Sequence, residues 1–142
     1  MVPAPSQAHA DIAQQLAVIL DGPARDAGLW PTMHEFNVGE SDHDYRIPDG
    51  GLHRERLGGV WHATAALVVE IVSPGDESWD KLRFYAAHSV DEVLIVDPRE
   101  RGVHWLASAE DGYRPVDRSA LIALGTADLR ERIDWPPVAA GS

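Results

Sequence analysis

The chain has 142 residues, a length that predicts one domain spanning 1–142 around a single hydrophobic core. With 44% hydrophobic and 25% charged residues it is not a disordered or fibrous protein, and its apolar runs are too short to cross a membrane. The absence of cysteine and of a secretion signal predicts a cytoplasmic protein without disulfides or thiolate chemistry. The net charge of −11 opposes nonspecific nucleic-acid binding, which normally uses clustered lysine and arginine.

The first part of the chain predicts one helix and one hairpin. Apolar residues at helical spacing predict an amphipathic helix over Ser6–Leu20, ending near Asp21-Gly22-Pro23. Trp30–Val38 is typical of extended chain, and a polar turn then leads to a short strand, Tyr45–Ile47. We expect Pro48-Asp49-Gly50-Gly51 to stop that strand, because glycine and proline are typical of turns.

The second part predicts strands that alternate with helices. Ala65–Val72 is an almost continuous apolar run, typical of a strand that is buried on both faces of a sheet. A helix is expected over Glu77–His88, followed by a strand over Glu92–Val96 and a return strand over Val103–Leu106. Thr126–Ile133 predicts a closing helix. This β-α-β-turn-β order indicates an α/β fold.

Glu70 is the one charged residue inside the buried strand. An unpaired carboxylate removed from water costs more than a marginally stable fold tolerates, so Glu70 requires a polar partner. Strand alternation places it on the same face as Val68 and Val72. Two interpretations stay open: a structural ion pair with an arginine such as Arg46, or a functional site.

Asp49 and Lys81 are placed to join Glu70. Asp49 follows a short strand 21 positions earlier (70 minus 49), and Lys81, the only lysine, lies 11 positions later (81 minus 70) near the start of the next helix. Two carboxylates about 4 Å apart repel by roughly 4 kcal/mol at an effective dielectric of 20, so they require a proton or a divalent cation between them. Oxygen ligands favour Mg²⁺ or Mn²⁺, and a neighbouring lysine is suited to position a water or stabilise charge. Taken alone, Lys81 is more typical of an exposed helix residue than of a functional one.

Other polar residues support weaker hypotheses. The segment His53-Arg54-Glu55-Arg56 forms, with His62, either a local basic patch beside a cleft or an ordinary solvated loop. A metal-independent hydrolase that uses a histidine lacks a recognisable arrangement of nucleophile and base. Zinc is not expected, because His43, His53 and His62 are widely spaced, occur in predicted loops and have no cysteine beside them.

Several segments taken together resemble the Uma-two family of proteins described as endonucleases, within the PD-(D/E)xK restriction-endonuclease-like superfamily. The resemblance covers most of the chain, is most distinctive in its centre, and takes in Ala4-Pro5-Ser6 with His9 more loosely. The segments that carry it are Tyr45–Asp49, Leu67–Pro74, Asp80–Ala86 and Val90–Pro98.

The resemblance implies a mixed β-sheet flanked by helices and a divalent-metal site for cleaving DNA. Asp49 and Glu70 match the acidic residues that bind Mg²⁺ or Mn²⁺ in the family. The common superfamily pattern has lysine two residues after the acid, where this chain has Val72; the family resemblance instead matches a lysine on the next helix to Lys81, with Tyr85 one turn later. The family resemblance also implies a homodimer.

Two departures from the family define an alternative function. The family usually has an additional helix and strand before the segment that resembles the start of this chain. The stretch from Ser73 to Lys81 is also shorter than usual, so Asp76, Glu77 and Asp80 have no assigned role. With the acidic net charge, these departures favour a catalytically silent, nuclease-like binding or assembly module as the alternative to an endonuclease.

Overall fold

A computed structural model describes residues 7–41, 43–56, 58–59, 61–73 and 78–137. No helix within these ranges is long and apolar enough to span a membrane. In chain order, the elements are α1 (Gln7–Asp26), β1 (Trp30–Thr32), β2 (Asn37–Ser41), β3 (Asp44–Arg46), β4 (Gly50–His53), β5 (Trp61–His62), β6 (Leu67–Ile71), α2 (Leu82–Ala87), β7 (Glu92–Asp97), β8 (Gly102–Ala109), β9 (Gly112–Val116) and α3 (Thr126–Arg132).

Six strands form a mixed sheet in the order β1-β4-β6-β7-β8-β9. Strands β6 and β7 are parallel, with α2 in the connection between them, and the other neighbours are antiparallel. All five residues of β6 are buried, because this strand is central in the sheet and covered on both faces. The predicted α/β fold, with a mixed sheet flanked by helices, is therefore confirmed.

A smaller sheet has the order β3-β2-β5. The predicted hairpin is confirmed, since β2 and β3 pair antiparallel with Val38 opposite Arg46. The interpretation of Trp30–Val38 as one extended segment is wrong in part. Here the chain leaves the large sheet after Thr32 and enters the small one at Asn37, and Phe36 between them turns into the core.

The two faces of the large sheet bury separate apolar clusters. One cluster joins the sheet to α1 and α3, and includes Leu16, Val69 and Leu129. The other joins the opposite face to α2 and the small sheet, and includes Val38 and Phe84. Alternation along β6 sends Leu67, Val69 and Ile71 to the first cluster and Val68 to the second. Glu70 therefore points toward α2.

Helix α1 extends to Asp26, so its predicted end near Asp21-Gly22-Pro23 is wrong. Pro23 lacks the N–H that would donate to the carbonyl oxygen of Ile19. Because Pro23 is close to the end of the helix, only this one helical hydrogen bond is lost. Ala24 is completely buried and continues the apolar stripe of the helix. Packing against the sheet outweighs the local signal to stop.

The other two helices are confirmed with shifted ends. Helix α3 begins at Thr126 as predicted, and the Gly125 N–H donates to Asp128 Oδ2 at 2.8 Å. Helix α2 begins at Leu82, and Lys81 precedes it as the capping residue. The predicted start of α2 at Glu77, like that of α1 at Ser6, lies outside the described residues.

Gly50 and Gly51 belong to β4 and do not form the expected turn. A Cβ atom at Gly50 would lie 2.6 Å from Met33 Sδ. A Cβ atom at Gly51 would lie 2.8 Å from Phe36 Cζ and 2.9 Å from the carbonyl oxygen of Leu67. Glycine is needed here because other groups pack against the strand, a reason that the local sequence does not reveal.

Gly51→Ala is expected to reduce the free energy of unfolding by about 1–3 kcal/mol, because the new methyl group meets both a ring and a backbone oxygen. Denaturant titration measures the change. Gly58→Ala is the matched control, since nothing lies within 4 Å of a Cβ atom there. Equal unfolding midpoints for the two variants would contradict this account of β4.

Candidate functional site

Asp49, directly before β4, and Glu70, on the neighbouring β6, lie at the same end of the large sheet. The pairing of Gly50 with Val69 continues to Asp49, whose N–H donates to the Val69 carbonyl oxygen at 2.9 Å. Asp49 Oδ2 accepts a hydrogen bond from the Ile71 N–H at 2.7 Å. The Asp49 side chain is thereby fixed next to Glu70 by the backbone of β6.

Glu70 has two partners from the segment that leads into and forms α2. Its side chain is 1% exposed. Lys81 Nζ lies 3.3 Å from Glu70 Oε1 and 3.4 Å from Oε2, and the Tyr85 hydroxyl donates to Oε1. The structure thus brings Lys81 to Glu70, beside Asp49, and adds Tyr85, to which the sequence assigned no role.

Arg46, the alternative partner for Glu70, lies elsewhere. Its guanidinium pairs with Asp44 at 3.7 Å and lies 4.7 Å from the centre of the Phe84 ring. The hypothesis of a structural ion pair between Arg46 and Glu70 is therefore wrong. Lys81 is the cation that contacts Glu70.

The protonation of Glu70 depends on opposing influences. Burial raises its pKa to about 7; the Lys81 ammonium and the Tyr85 hydroxyl act to lower it, and the negative charge of Asp49 raises it. Burial, and then the charge of Glu70, raise the pKa of Tyr85, so the phenol stays protonated as a donor. The site therefore holds a carboxyl group that titrates near neutral pH beside a fixed carboxylate and a cation.

His9, on α1, is a site residue that the analysis of spacing missed. Its Nε2 lies 3.0 Å from Asp49 Oδ1, on the carboxylate oxygen that Ile71 does not contact. The two residues are 40 positions apart, and both side chains are largely buried. Only the looser part of the family resemblance pointed to His9, because the local pattern around it is that of an ordinary amphipathic helix.

The donor set fits a hard divalent cation with a partial hydration shell. Asp49 and Glu70 supply carboxylate oxygens from adjacent strands, and each oxygen of Asp49 has lone-pair capacity beyond its one hydrogen bond given above. Among the described residues, no three His, Cys, Asp or Glu side chains surround a single point. Water would therefore complete the coordination, as it does in many Mg²⁺ sites.

The remaining polar residues named from the sequence do not extend this centre. Asp80 is exposed next to Lys81, and Asp76 and Glu77 lie outside the described residues. Arg54 pairs with Asp91, and Arg56 lies over the Trp30 ring. Residues 54–56 are therefore exposed with both arginines partnered, and the segment lies with His62 along a cavity, beside a cleft as one of the two interpretations expected.

In metal-free protein we expect the contribution of Glu70 to the free energy of unfolding to be lost as pH rises. Folded Glu70 holds its proton up to about pH 7, whereas the ordinary carboxyl releases it near 4.5, so ionisation over this interval favours the unfolded chain. Glu70→Gln removes this titration, and its stability relative to wild type should increase with pH. Urea denaturation in EDTA measures this difference at each pH. Glu100→Gln, at an exposed position, is the control. Parallel pH profiles of stability for Glu70→Gln and wild type would contradict the prediction.

Comparisons with known proteins agree with this architecture. The family model Uma2, described as "Putative restriction endonuclease", matches residues 1–128. No curated protein matches the chain. A crystal structure described as a putative nuclease belonging to DUF820, from Anabaena variabilis, is similar in fold, with a TM-score of 0.70 at 13% identity over 92% of this chain and 84% of that one. Since the family match covers most of the 142 residues, the chain belongs to the Uma2 family.

Proposed function

We propose that this protein is a Mg²⁺- or Mn²⁺-dependent endonuclease that hydrolyses phosphodiester bonds in DNA. One observation carries the proposal: a buried glutamate, a backbone-fixed aspartate and the only lysine of the chain meet at one end of the sheet. Membership of a nuclease-like family supports the same reaction class. The resemblance to the PD-(D/E)xK superfamily supports the assignment of Asp49 and Glu70 as ligands of the cation.

Each residue has a distinct part in the proposed chemistry. Asp49 and Glu70 would hold the divalent ion, which would supply Lewis-acid chemistry for attack of water on a phosphate. Lys81 orients the attacking water or stabilises the negative charge that develops on the phosphate. The Tyr85 hydroxyl fixes the orientation of Glu70, and His9 fixes that of Asp49. These two are positioning residues, since each acts through a carboxylate.

The acidic surface limits how the protein grips its substrate. A net charge of −11, from 23 acidic residues against 12 basic ones, repels a polyanion. Binding should therefore depend strongly on the divalent ion. Cleavage assays need both supercoiled plasmid and single-stranded DNA as substrates.

Glu70→Gln and Lys81→Ala are each expected to reduce the rate of Mn²⁺-dependent cleavage on the order of 100-fold or more. Glutamine at 70 removes the anionic ligand while preserving shape, and alanine at 81 removes the cation. The assay follows plasmid nicking with Mn²⁺, Mg²⁺ or EDTA, and circular dichroism verifies that each variant is folded. Glu100→Gln, on an exposed turn, should cut as the wild type does.

The controls separate the two candidate functions. Cleavage that persists in EDTA, or at equal rates in both site variants, would identify a contaminant or a different active site. An inert, folded wild-type protein would favour the catalytically silent binding module.

His9→Ala is expected to raise the Mn²⁺ concentration for half-maximal cleavage about 10-fold or more, because Asp49 Oδ1 loses the partner that orients it. The rate at saturating Mn²⁺ should change much less. His104→Ala, an exposed histidine outside the site, provides the comparison. A loss of maximal rate with unchanged metal dependence would assign His9 a role other than orienting Asp49.

A further inference from the structure

Two histidines from different sheets meet at the opposite end of β4 from Asp49. His53 is the last residue of β4 in the large sheet, and His62 belongs to β5 in the small sheet. Their ring centres are 4.7 Å apart, with 30° between the ring planes. Phe36 packs edge-on against both rings, at 4.8 and 5.1 Å. The pair is therefore a packed, specific contact between the two sheets.

One nitrogen of each ring lacks a partner. His53 Nε2 and His62 Nδ1 are buried, and neither has a hydrogen-bond partner in the described part of the chain. The residues are only 5% and 7% exposed. Leaving a buried polar atom unsatisfied costs about 1–3 kcal/mol, so two such atoms in one contact indicate that something else binds them.

The charge state of the pair favours a cation that binds to nitrogen. Burial, and then the charges of His62 and His34, lower the pKa of His53 to about 4, and burial also lowers the pKa of His62. Both rings are therefore neutral near pH 7, the form whose lone pair binds metal. A neutral pair gives no charge attraction for phosphate, so an anion is the less suitable ligand.

The surroundings offer further ligands. The two histidines line a cavity of about 410 Å³ together with Trp30, His34, Glu35, Phe36, Glu55 and Arg56. His34 Nδ1 donates to the Glu35 carbonyl oxygen at 2.9 Å, which leaves Nε2 as the nitrogen with the lone pair. Such a bond to a backbone carbonyl is typical of metal-binding histidines. In their present conformation, the described residues do not place a third ligand beside the two histidines. His34, Glu35 and Glu55 are exposed, so rotation of one of these side chains would supply it.

We propose that His53 and His62 form a binding site for one transition-metal ion of the Zn²⁺ class, which joins the large sheet to the small sheet. Bonds of about 2.0–2.1 Å from one ion to two imidazole nitrogens place the ring centres about 5 Å apart, close to the observed separation. Imidazole nitrogen suits Zn²⁺, Ni²⁺ or Cu²⁺, whereas the carboxylate oxygens of Asp49 and Glu70 suit Mg²⁺ or Mn²⁺.

The proposed site is independent of the proposed nuclease centre. Asp49 and His53 are four positions apart along extended chain, a span of about 13 Å, which is too far for the two sets of ligands to share an ion. The sequence led us to expect no zinc site because the histidines are widely spaced. The pairing of β2 with β5 fixes His62 in the small sheet, and the packing of that sheet against β4 brings its ring to His53, which the spacing alone does not reveal.

Metal binding is tested on untagged protein that has been stripped with a chelator. Isothermal titration with Zn²⁺ and the visible absorption of Co²⁺ should show one ion per chain, and Zn²⁺ should raise the thermal unfolding temperature. His53→Gln and His62→Gln should each weaken binding by 10-fold or more. His104→Gln and Glu70→Gln should bind Zn²⁺ as the wild type does, and the latter distinguishes failure at this site from failure of the nuclease proposal.

A second measurement avoids variants that fail to fold. On wild-type protein, substoichiometric Cu²⁺ should broaden the imidazole NMR signals of His53 and His62 before those of His9, His43, His88 and His104, which are not among the residues that line the cavity. The proposal is overturned if wild-type protein binds no Zn²⁺ at micromolar concentration, if both glutamine variants bind it unchanged, or if Cu²⁺ broadens one of those four histidines first.

Discussion

The burial of Glu70 is the constraint from which the arrangement of this end of the molecule follows. A carboxyl group 1% exposed in a central strand requires donors, and α2 and its entry supply an ammonium and a phenol. The same burial, with Asp49 across the strand pair, makes the ionised form costly. The fold thus holds a buried carboxyl group beside a second one, an arrangement in which a proton or a nearby positive charge offsets the repulsion between them.

Glu92 shows that burial by itself does not make a site. Its Oε1 accepts from Trp105 Nε1 at 2.7 Å and from the Ser119 hydroxyl at 2.6 Å, and its Oε2 accepts from the Ala120 N–H at 2.8 Å. All three donors are neutral and tie β7 to β8 and to the loop before α3. Glu70 differs because its partners include a cation and its neighbour is another carboxylate.

Features that depend on nearby residues were predictable from the sequence. The strands β6 and β7 and helix α3 have clear apolar patterns, and a single charge in a buried strand required a polar partner, which Lys81 supplies. The strand character of Gly50 and Gly51 was not predictable, because it depends on Met33 and Phe36 packing against them.

Long-range contacts explain the other failures. The bond from His9 to Asp49 joins residues 40 positions apart, and the contact of His53 with His62 requires two sheets to meet. The continuation of α1 through Pro23 depends on burial of Ala24 against the sheet. In each case, tertiary packing decided what the local pattern left open or contradicted.

The residues of the candidate site come together through contacts of different length along the chain, which matters for partly folded protein. Lys81, Tyr85 and Asp49 reach β6 through contacts that span only 11 to 22 positions. His9 joins through a contact that spans 40 positions, and such distant contacts close more slowly because more chain must be ordered. A nascent or damaged chain in which α1 has not docked therefore keeps both carboxylates and the lysine but lacks the histidine that orients Asp49.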